Sequence, residues 1–487
     1  MKTHLNNTKL IQSLRLLSPD EFKTYHKWLQ SPWANSNGKL VEFYQILQRC
    51  HPDYTGRNLT KEKIFAKLYP QKKYDDKWMR NIMAAMSKQV EKFLVHQRLE
   101  KDRVTAKELL AKEYLERHQA NWYIKKVNEI INELELKTNK ESEDYLKLSL
   151  LHENLYHQSD LKADHVSGHY PLKIAELYLD TFFSTYKWRL INEMVERKLI
   201  LPEDWSLSNK KELLISLTRD LDIPINKLYQ ERIEMAEHLQ KDKYFSFKEK
   251  YLSVQGKLPK WDSKLLFFYL INSAARLWMK GNQEIIFELL DLYKTGLENK
   301  TIFYYGRLTD ATYANIVNIA NSCDDVEFSL RFIEEFTDYL PPEKKEDGKT
   351  WALGKCFYKK QEYEKSIELL SAHSFKNNMF NTNGRFVLLQ SYFDACMISD
   401  SYFLFFKDYC EATKKYFKRN KPLSKERNMA LITAVNYALR IIKLFIDRNH
   451  IMMKLEKIES DLNKEKNIQG KRWLLGKLVE IKNGPPP

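Results

Sequence analysis

The chain has 487 residues, 43% of them hydrophobic and 13% aromatic, and a formal net charge of +15. This length predicts two to four domain-sized units or one long repeat array, and the low counts of 13 Gly and 14 Pro argue against sandwiches, barrels and open α/β sheets, which need many turns. No stretch of 18 uncharged apolar residues is present, so we expect no transmembrane helix and no membrane partner.

The beginning of the chain and its cysteines indicate a reducing compartment. The first residues, MKTHLNNTKLIQSLRLLSPDEF, lack the apolar core and the small-residue cleavage site of a signal peptide. The five cysteines lie far apart and form no CxxC pair. We therefore expect free thiols and a cytoplasmic protein.

Positive charge is concentrated at the two ends of the chain. Residues 1–100 have a net charge of +9 and residues 411–487 of +10, whereas the segment between them has −4. Such a distribution can mark an anionic partner. Lysine, however, supplies 60 of the 80 cations and arginine only 20, and nucleic-acid sites favour arginine for bidentate contacts. A bias in genomic base composition would give the same excess of lysine.

The first helix signal is LSPDEF. Ser18 can cap a helix that begins at Pro19, and Glu21 completes a capping box. The turn formers SPWANSNG end this helix, and a second helix is predicted near 39–50.

Residues 59–94 have the form of a short helix, a turn and a longer helix. Thr60 caps the first, and Asp75 or Asp76 caps the second, YDDKWMRNIMAAMSKQVEKFL at 74–94. The second helix is amphipathic at 100° per residue. Its predicted buried face consists of Trp78, Met79, Ile82, Met83, Met86, Val90, Phe93 and Leu94. Its predicted wet face consists of Lys77, Arg80, Asn81, Lys88 and Lys92.

Helical periodicity then continues in pieces towards residue 262. Four helical segments are predicted at 105–119, 121–137, 142–158 and 170–198. Polar segments with Gly or Pro break the pattern at 159–171, 201–210 and 253–263.

From residue 262 the pattern becomes repetitive. Pairs of helices are predicted within 309–340, 348–373, 383–416 and 423–449. Their spacing of roughly 36–44 residues is the range of helical-hairpin repeats. Such a hairpin cannot bury its apolar side alone, so stacked neighbours supply the core of a solenoid.

Residues 351–370, WALGKCFYKKQEYEKSIELL, resemble a tetratricopeptide repeat. The family's large, Gly, aromatic, aromatic, small and large positions are occupied by Leu353, Gly354, Phe357, Tyr363, Ser366 and Leu370. Gly inside a helix costs about 1 kcal/mol relative to Ala, and a close approach of two antiparallel helices opposite Ser366 would explain Gly354. The resemblance implies a tetratricopeptide-like array, although His373 stands where the family usually has Ala. The whole chain is also similar to uncharacterised bacterial helical-repeat proteins with a start like LSPDEFKTYHKWLQSP, a likeness that implies no activity.

Motifs for chemistry are largely missing. The sequence contains no GxxxxGK[ST], no GxSxG and no GxGxxG after a strand. His152 and His157 are spaced i, i+5, whereas a zinc-protease helix needs i, i+4 to place both rings on one face. A metal cluster of these two with His165 and His169 is a minor alternative. We therefore predict no enzyme activity, no catalytic residues, no cofactor and no metal site.

The 59–94 region loosely resembles the helix-turn-helix of winged regulators in which a DNA-binding domain precedes a tetratricopeptide-like domain. That resemblance implies that the second helix enters the major groove. The candidate nucleic-acid-binding residues are Lys72, Lys73, Lys77, Arg80, Asn81, Lys88 and Lys92. A turn longer than the usual three or four residues, the absence of a wing hairpin and a single arginine argue for the alternative, a structural hairpin with a solvated lysine face.

The C-terminal stretch is predicted to close the array. Residues 451–466 have the pattern of an exposed charged helix, and Trp473, Leu474, Leu475 and Leu478 cap the array or bind a partner. The final GPPP is predicted to be a disordered tail.

Together these patterns predict an all-α protein. An N-terminal helical domain (1–160) and a middle helical segment (161–261) precede a tetratricopeptide-like α-solenoid (262–450) and C-terminal capping helices with a tail (451–487). The leading hypothesis is a non-enzymatic scaffold or adaptor that binds a protein or peptide on the concave face of the array, with Tyr313, Asn315 and Asn318 as candidate binding residues. The alternative is a nucleic-acid-binding regulator that uses the 59–94 region.

Overall fold

The computed structural model describes residues 4–55, 59–157, 170–200, 208–217, 221, 223–419, 423–447 and 451–483. These residues form 23 α-helices and no β-strand, which confirms the predicted all-α fold. The chain divides into two compact units, Met1–Phe182 (unit 1) and Phe183–Pro487 (unit 2). The dividing point lies inside the predicted middle segment, and the boundaries at 160 and 261 stay predictions.

Unit 1 has two hydrophobic clusters, one built by its first five helices and one by the next three. A ninth helix begins in unit 1 and ends in unit 2. The helices are α1 (Lys9–Leu14), α2 (Pro19–Gln30), α3 (Gly38–Gln48), α4 (Lys61–Leu68), α5 (Asp76–Lys101), α6 (Arg103–Glu116), α7 (Ala120–Glu135), α8 (Ser142–Tyr156) and α9 (Tyr170–Ile200).

The predicted helix starts of unit 1 are confirmed. The Ser18 hydroxyl accepts a hydrogen bond from the backbone N–H of Glu21 at 3.2 Å, and the Glu21 carboxylate accepts one from the N–H of Ser18 at 3.0 Å. Thr60 caps α4, and Asp75 caps α5 through the N–H of Trp78. Because these bonds satisfy N–H groups that have no partner inside the helix, local sequence sets where each helix begins.

The helices of unit 2 follow one another with short connections. They are α10 (Ser208–Leu217), α11 (Pro224–Glu237), α12 (Lys241–Val254), α13 (Lys260–Met279), α14 (Ile285–Glu298), α15 (Asp310–Ser322), α16 (Val326–Phe336), α17 (Lys345–Lys359), α18 (Tyr363–Ala372), α19 (Asn378–Ile398), α20 (Phe403–Arg419), α21 (Lys425–Asp447), α22 (Ile451–Lys464) and α23 (Lys471–Lys482).

From α13 to α22 each helix contacts the next one along the chain. In chain order they can be grouped as consecutive pairs: α13 with α14, α15 with α16, α17 with α18, α19 with α20, and α21 with α22. The first members of the last four pairs (α15, α17, α19 and α21, hereafter the first helices) also contact one another in succession. They therefore form a continuous layer within unit 2.

The same turn joins the two helices of three successive pairs. Gly281, Asp324 and Gln361 each adopt a left-handed conformation, with φ of +108°, +61° and +62°. In each turn the next N–H donates back to the first helix, as from Asp325 to the Ala320 carbonyl at 2.9 Å and from Glu362 to the Phe357 carbonyl at 2.9 Å. This bond satisfies a carbonyl at the helix end. The left-handed residues are separated by 43 and 37 residues, within the predicted hairpin spacing.

The C-terminal part of unit 2 differs from the prediction in two respects. Residues 423–449 do not form a pair of helices, because Lys425–Asp447 is one continuous helix, which contacts both α20 and α22. Nor is α22 simply an exposed charged helix, since Leu455, Ile458 and Leu462 are buried. Leu474 and Leu478, two of the residues predicted to cap the array or bind a partner, are buried in the same cluster, and the choice between these two roles stays a prediction.

A buried ion pair joins three helices of unit 2. Asp262 on α13 is 0% exposed and accepts two hydrogen bonds from the Arg189 guanidinium on α9, at 2.9 and 3.1 Å. Asp262 also accepts a hydrogen bond from the Tyr229 hydroxyl on α11 at 2.5 Å. Burial, and next the negative charge of Asp262, raise the pKa of Tyr229 well above its ordinary value. Because the buried carboxylate is paired with donors from two other helices, we interpret this cluster as a structural contact that holds α9, α11 and α13 together.

Candidate functional site

The three residues predicted to bind a protein or peptide lie on α15, but they have different surroundings. Tyr313 is 0% exposed, and its hydroxyl shares a hydrogen bond with that of Thr337 at 2.8 Å. Burial raises its pKa above the ordinary value. Tyr313 is therefore part of the core and offers no surface to a partner. Asn315 is exposed, and Asn318 is half-buried.

Asn318 lines a cavity of about 170 Å³ formed by the layer of first helices. All four first helices contribute to its wall, and so does the loop between α22 and α23. The lining residues are Asn318 from α15, Trp351 and Lys355 from α17, Thr382, Asn383, Phe386 and Val387 from α19, Arg427 and Leu431 from α21, and Gln469 from the loop. One cavity thus collects side chains from four successive pairs.

The position of α17 beside the cavity depends on a close helix approach. A Cβ on Gly354 would lie 2.6 Å from Cγ of Leu370 on α18. The Ser366 hydroxyl donates to the Gly354 carbonyl at 2.9 Å and shares a hydrogen bond with Ser391 on α19 at 2.9 Å. The predicted reason for Gly354, room for the neighbouring helix, is confirmed. It sets Lys355, the next residue, at the cavity wall.

The polar side chains that line the cavity are mainly cations (Lys355 and Arg427) and amides (Asn318, Asn383 and Gln469). No Asp or Glu is among the described residues that form its wall. The Lys355 ammonium has no carboxylate partner within the described residues, and it lies 5.3 Å from the centre of the Tyr358 ring. Burial, together with Lys359, lowers the pKa of Lys355 to about 8. Arg427 is exposed and likewise forms no ion pair with a described residue.

Trp351 adds a hydrogen-bond donor to this wall. Its side chain is 1% exposed, and its indole N–H has no acceptor among the described residues. The same holds for the buried indole N–H groups of Trp188, Trp278 and Trp473 in unit 2. Trp351, Lys355, Arg427 and Gln469 were not among the predicted site residues. Only the spacing of Trp351 and Lys355, i and i+4 on one helix face, could have indicated two of them.

The predicted basic face of unit 1 is exposed as expected. All seven candidate nucleic-acid-binding side chains are exposed, while Met79, Met86 and Val90 on the opposite face of α5 are buried. Trp78 departs from the predicted buried stripe, with 39% of its side chain exposed. Its ring lies under the Lys72 ammonium at 3.9 Å.

Acidic residues interrupt this basic face. Arg80, its one arginine, forms an ion pair with Asp76 at 3.0 Å. Asp75 and Asp76 occupy the N-terminal end of α5, the end that a recognition helix directs towards DNA. The described residues contain no strand that could form a wing. These features argue against a helix-turn-helix, and binding of nucleic acid by this region stays a prediction.

The structure separates the seven candidates into smaller groups. Lys88 and Lys92 line a groove of about 680 Å³ in unit 1 together with Val95 and Trp33, and the Trp33 side chain is 100% exposed. Other members of the set lie beside Trp78: Lys77 and Asn81 share a depression with it.

The histidines do not form a described metal site. His152 is 8% exposed, and burial lowers its pKa. His157 is exposed, and His165 and His169 lie outside the described residues. No group of three or more His, Cys, Asp or Glu side chains in the described ranges has an arrangement that could hold a metal ion.

One helix among the described residues is long and apolar enough, by length and composition, to cross a membrane. It is α21, Lys425–Asp447, of which 10 residues are buried within unit 2. A core helix meets the same criterion, so α21 decides nothing about location. The predicted absence of a membrane partner stays a prediction.

Comparisons of the chain with protein-family models, with curated proteins and with solved structures gave no match. The function must therefore be argued from the geometry of the chain itself.

Proposed function

We propose that this protein is a non-enzymatic cytoplasmic scaffold or adaptor, and that unit 2 binds a protein or peptide along its first helices. The observation that carries the proposal is the single cavity to which α15, α17, α19 and α21 all contribute. A segment seated there would contact four successive helix pairs, as expected for the extended binding surface of a solenoid.

The proposal includes a tetratricopeptide-like solenoid in this part of the chain. Its support is the recurrence of one left-handed turn at Gly281, Asp324 and Gln361, and the contacts between successive first helices. The close approach at Gly354 adds to it.

The size of the cavity favours a peptide over a larger ligand. About 170 Å³ is below the roughly 300–1,000 Å³ typical of sites that enclose drug-sized molecules. It matches one side chain, with the rest of a bound segment lying outside on the exposed surface that includes Asn315.

The test is selection of random peptides by display on the immobilised full-length protein, followed by calorimetry with the selected peptides. Asn318→Phe would place a ring in the cavity, and Asn299→Phe is the matched control because Asn299 is exposed at the end of α14 and does not line it. We expect binding to be lost in Asn318→Phe and kept in Asn299→Phe. Peptides that bind both variants as well as the wild type, or a selection that yields no binder, would overturn the proposal.

The alternative proposal is a nucleic-acid-binding regulator. It is supported by the exposure of all seven candidate side chains on and before α5. Binding to duplex and single-stranded nucleic acid should then weaken steeply with salt, and Arg80→Glu with Lys88→Glu should abolish it. The control, Lys112→Glu with Lys125→Glu, makes the same charge change at exposed positions of α6 and α7. Equal binding by both double variants would count against the alternative.

A further inference from the structure

Lys355 differs from three other half-buried lysines of unit 2, namely Lys344, Lys359 and Lys477. Lys344, Lys359 and Lys477 are 16–35% exposed, and each has a carboxylate within 2.5–2.9 Å. Lys355 is half-buried on the same helix as Lys359 and has no such partner among the described residues. Removing a lysine ammonium from water without a counter-ion is unfavourable. An unpaired ammonium at a cavity wall is therefore a position where an anion would be stabilised.

The other polar groups of the cavity suit the same ligand. Arg427 supplies a second cation from α21, and Asn318 and Asn383 supply amide N–H donors. Trp351 supplies a buried indole N–H that has no acceptor within the described part of the chain. The rest of the wall has the apolar side chains of Phe386, Val387 and Leu431, together with Thr382 and Gln469. Charge-assisted bonds to carboxylate oxygens, with an aliphatic stem against apolar side chains, would satisfy both parts.

We infer that the cavity binds the carboxylate of a Glu or Asp side chain in the partner segment, with Lys355 and Arg427 as its cationic ligands. This inference rests on the proposed function, and it specifies the chemistry of the bound residue. The carboxylate would supply the counter-ion that Lys355 lacks, and its oxygens would accept from Trp351 and the asparagine amides. A segment with acidic residues would be preferred over a neutral or basic one.

The pH dependence of binding follows from the surroundings of Lys355. With a pKa of about 8, the ammonium is charged in about nine-tenths of molecules at pH 7 and about one-tenth at pH 9. Carboxylate binding should thus weaken about tenfold over this interval. Of the other groups that face Lys355, Arg427 and Lys359 are cations, and burial raises the pKa of Cys356. The carboxylate itself does not titrate there.

The experiment is titration of the full-length protein with N-acetylglutamate α-amide, which carries one side-chain carboxylate, followed by the NMR signal of the Trp351 indole N–H. Trp351→Phe assigns the signal. N-acetylglutamine amide is the neutral probe, and O-phosphoserine amide tests a phosphate in place of the carboxylate. Lys355→Met removes the charge and keeps the aliphatic chain, while Lys360→Met makes the same change at an exposed position of the same helix segment.

We expect a saturable shift with the glutamate probe, at least tenfold weaker binding in Lys355→Met and Arg427→Gln, and unchanged binding in Lys360→Met. Lys355→Arg should bind with little dependence on pH between 7 and 9. The inference is overturned if the neutral or the phosphate probe binds as well as the carboxylate, or if a folded Lys355→Met variant binds like the wild type. If the glutamate probe binds but no peptide is selected, the proposed peptide function fails and the carboxylate site stands. If the selected peptides bind without any acidic residue, the proposed peptide function stands and the carboxylate site fails.

Discussion

Replacing Gly354 by Ala should destabilise the protein, although Ala is the better helix former. The replacement gains about 1 kcal/mol from helix propensity. Against this, the new Cβ would lie 2.6–2.7 Å from three carbons of Leu370, whereas carbons in contact are separated by about 3.5–4.0 Å. Leu370 is 2% exposed, so it has little room to move. Overpacking of this kind costs about 1–3 kcal/mol, and after the gain in propensity we expect a net loss of up to about 2 kcal/mol.

Gly476→Ala is the matched control. Gly476 lies inside α23, and a Cβ there would meet nothing within 4 Å. The same substitution should therefore raise the free energy of unfolding by up to about 1 kcal/mol. The measurement is the denaturation midpoint of each full-length variant in guanidinium chloride, followed by circular dichroism at 222 nm.

A second substitution isolates the cause. In a Leu370→Ala background the obstructing side chain is gone, so Gly354→Ala should change sign and stabilise by about 0.5–1 kcal/mol. If Gly354→Ala instead raises the midpoint in the wild-type background as Gly476→Ala does, the helices do not approach closely at this position. The explanation of Gly354 would then be wrong.

Two further predictions concern buried charge in unit 2. Asp262→Ala leaves the Arg189 guanidinium and the Tyr229 hydroxyl without their buried partner, so the free energy of unfolding should fall by about 3–5 kcal/mol. The control, Asp408→Ala at an exposed position of α20, should change it by less than about 0.5 kcal/mol. A loss below about 1 kcal/mol for Asp262→Ala would contradict the inferred role of the cluster. The pKa of Lys355 is about 8 in the folded protein, below the ordinary lysine value of 10.5, so protonation of Lys355 favours the unfolded chain. The resulting loss of folding stability is complete below pH 8 and disappears as the pH rises towards 10.5. At about 1.36 kcal/mol per pH unit this is about 3 kcal/mol, reduced to about 1–2 kcal/mol because the side chain is partly exposed. Lys355→Met should stabilise the protein by that amount at pH 7, and the gain over wild type should shrink in denaturation curves between pH 8 and 10.5; a gain independent of pH would disprove the desolvation argument.

The sequence by itself determined the helices and many of their faces. Ser18 with Glu21, Thr60 and Asp75 mark helix starts because their side chains bond to N–H groups within one turn, a purely local interaction. The apolar stripe of α5 is buried because periodicity decides which side chains share a face. Gly354 could be explained in advance because a glycine inside a helix needs a packing reason.

Other outcomes depended on neighbours that are distant in sequence. Tyr313 is buried because Thr337 and the adjacent helices enclose it, which no pattern around residue 313 distinguishes from exposure. Asp324 and Gln361 occupy left-handed turns where local preference favours glycine, so the repeated turn is not visible in the residue types.

The cavity is decided entirely by tertiary structure. Lys355 and Arg427 belong to different helix pairs and meet only because the first helices pack side by side. Charge counting along the chain could not reveal that Lys359 has a carboxylate partner whereas Lys355 has none among the described residues, since pairing depends on three-dimensional distance. Local hydrogen bonds and periodicity thus determine the helices, and the packing of non-adjacent helices determines which side chains share a site.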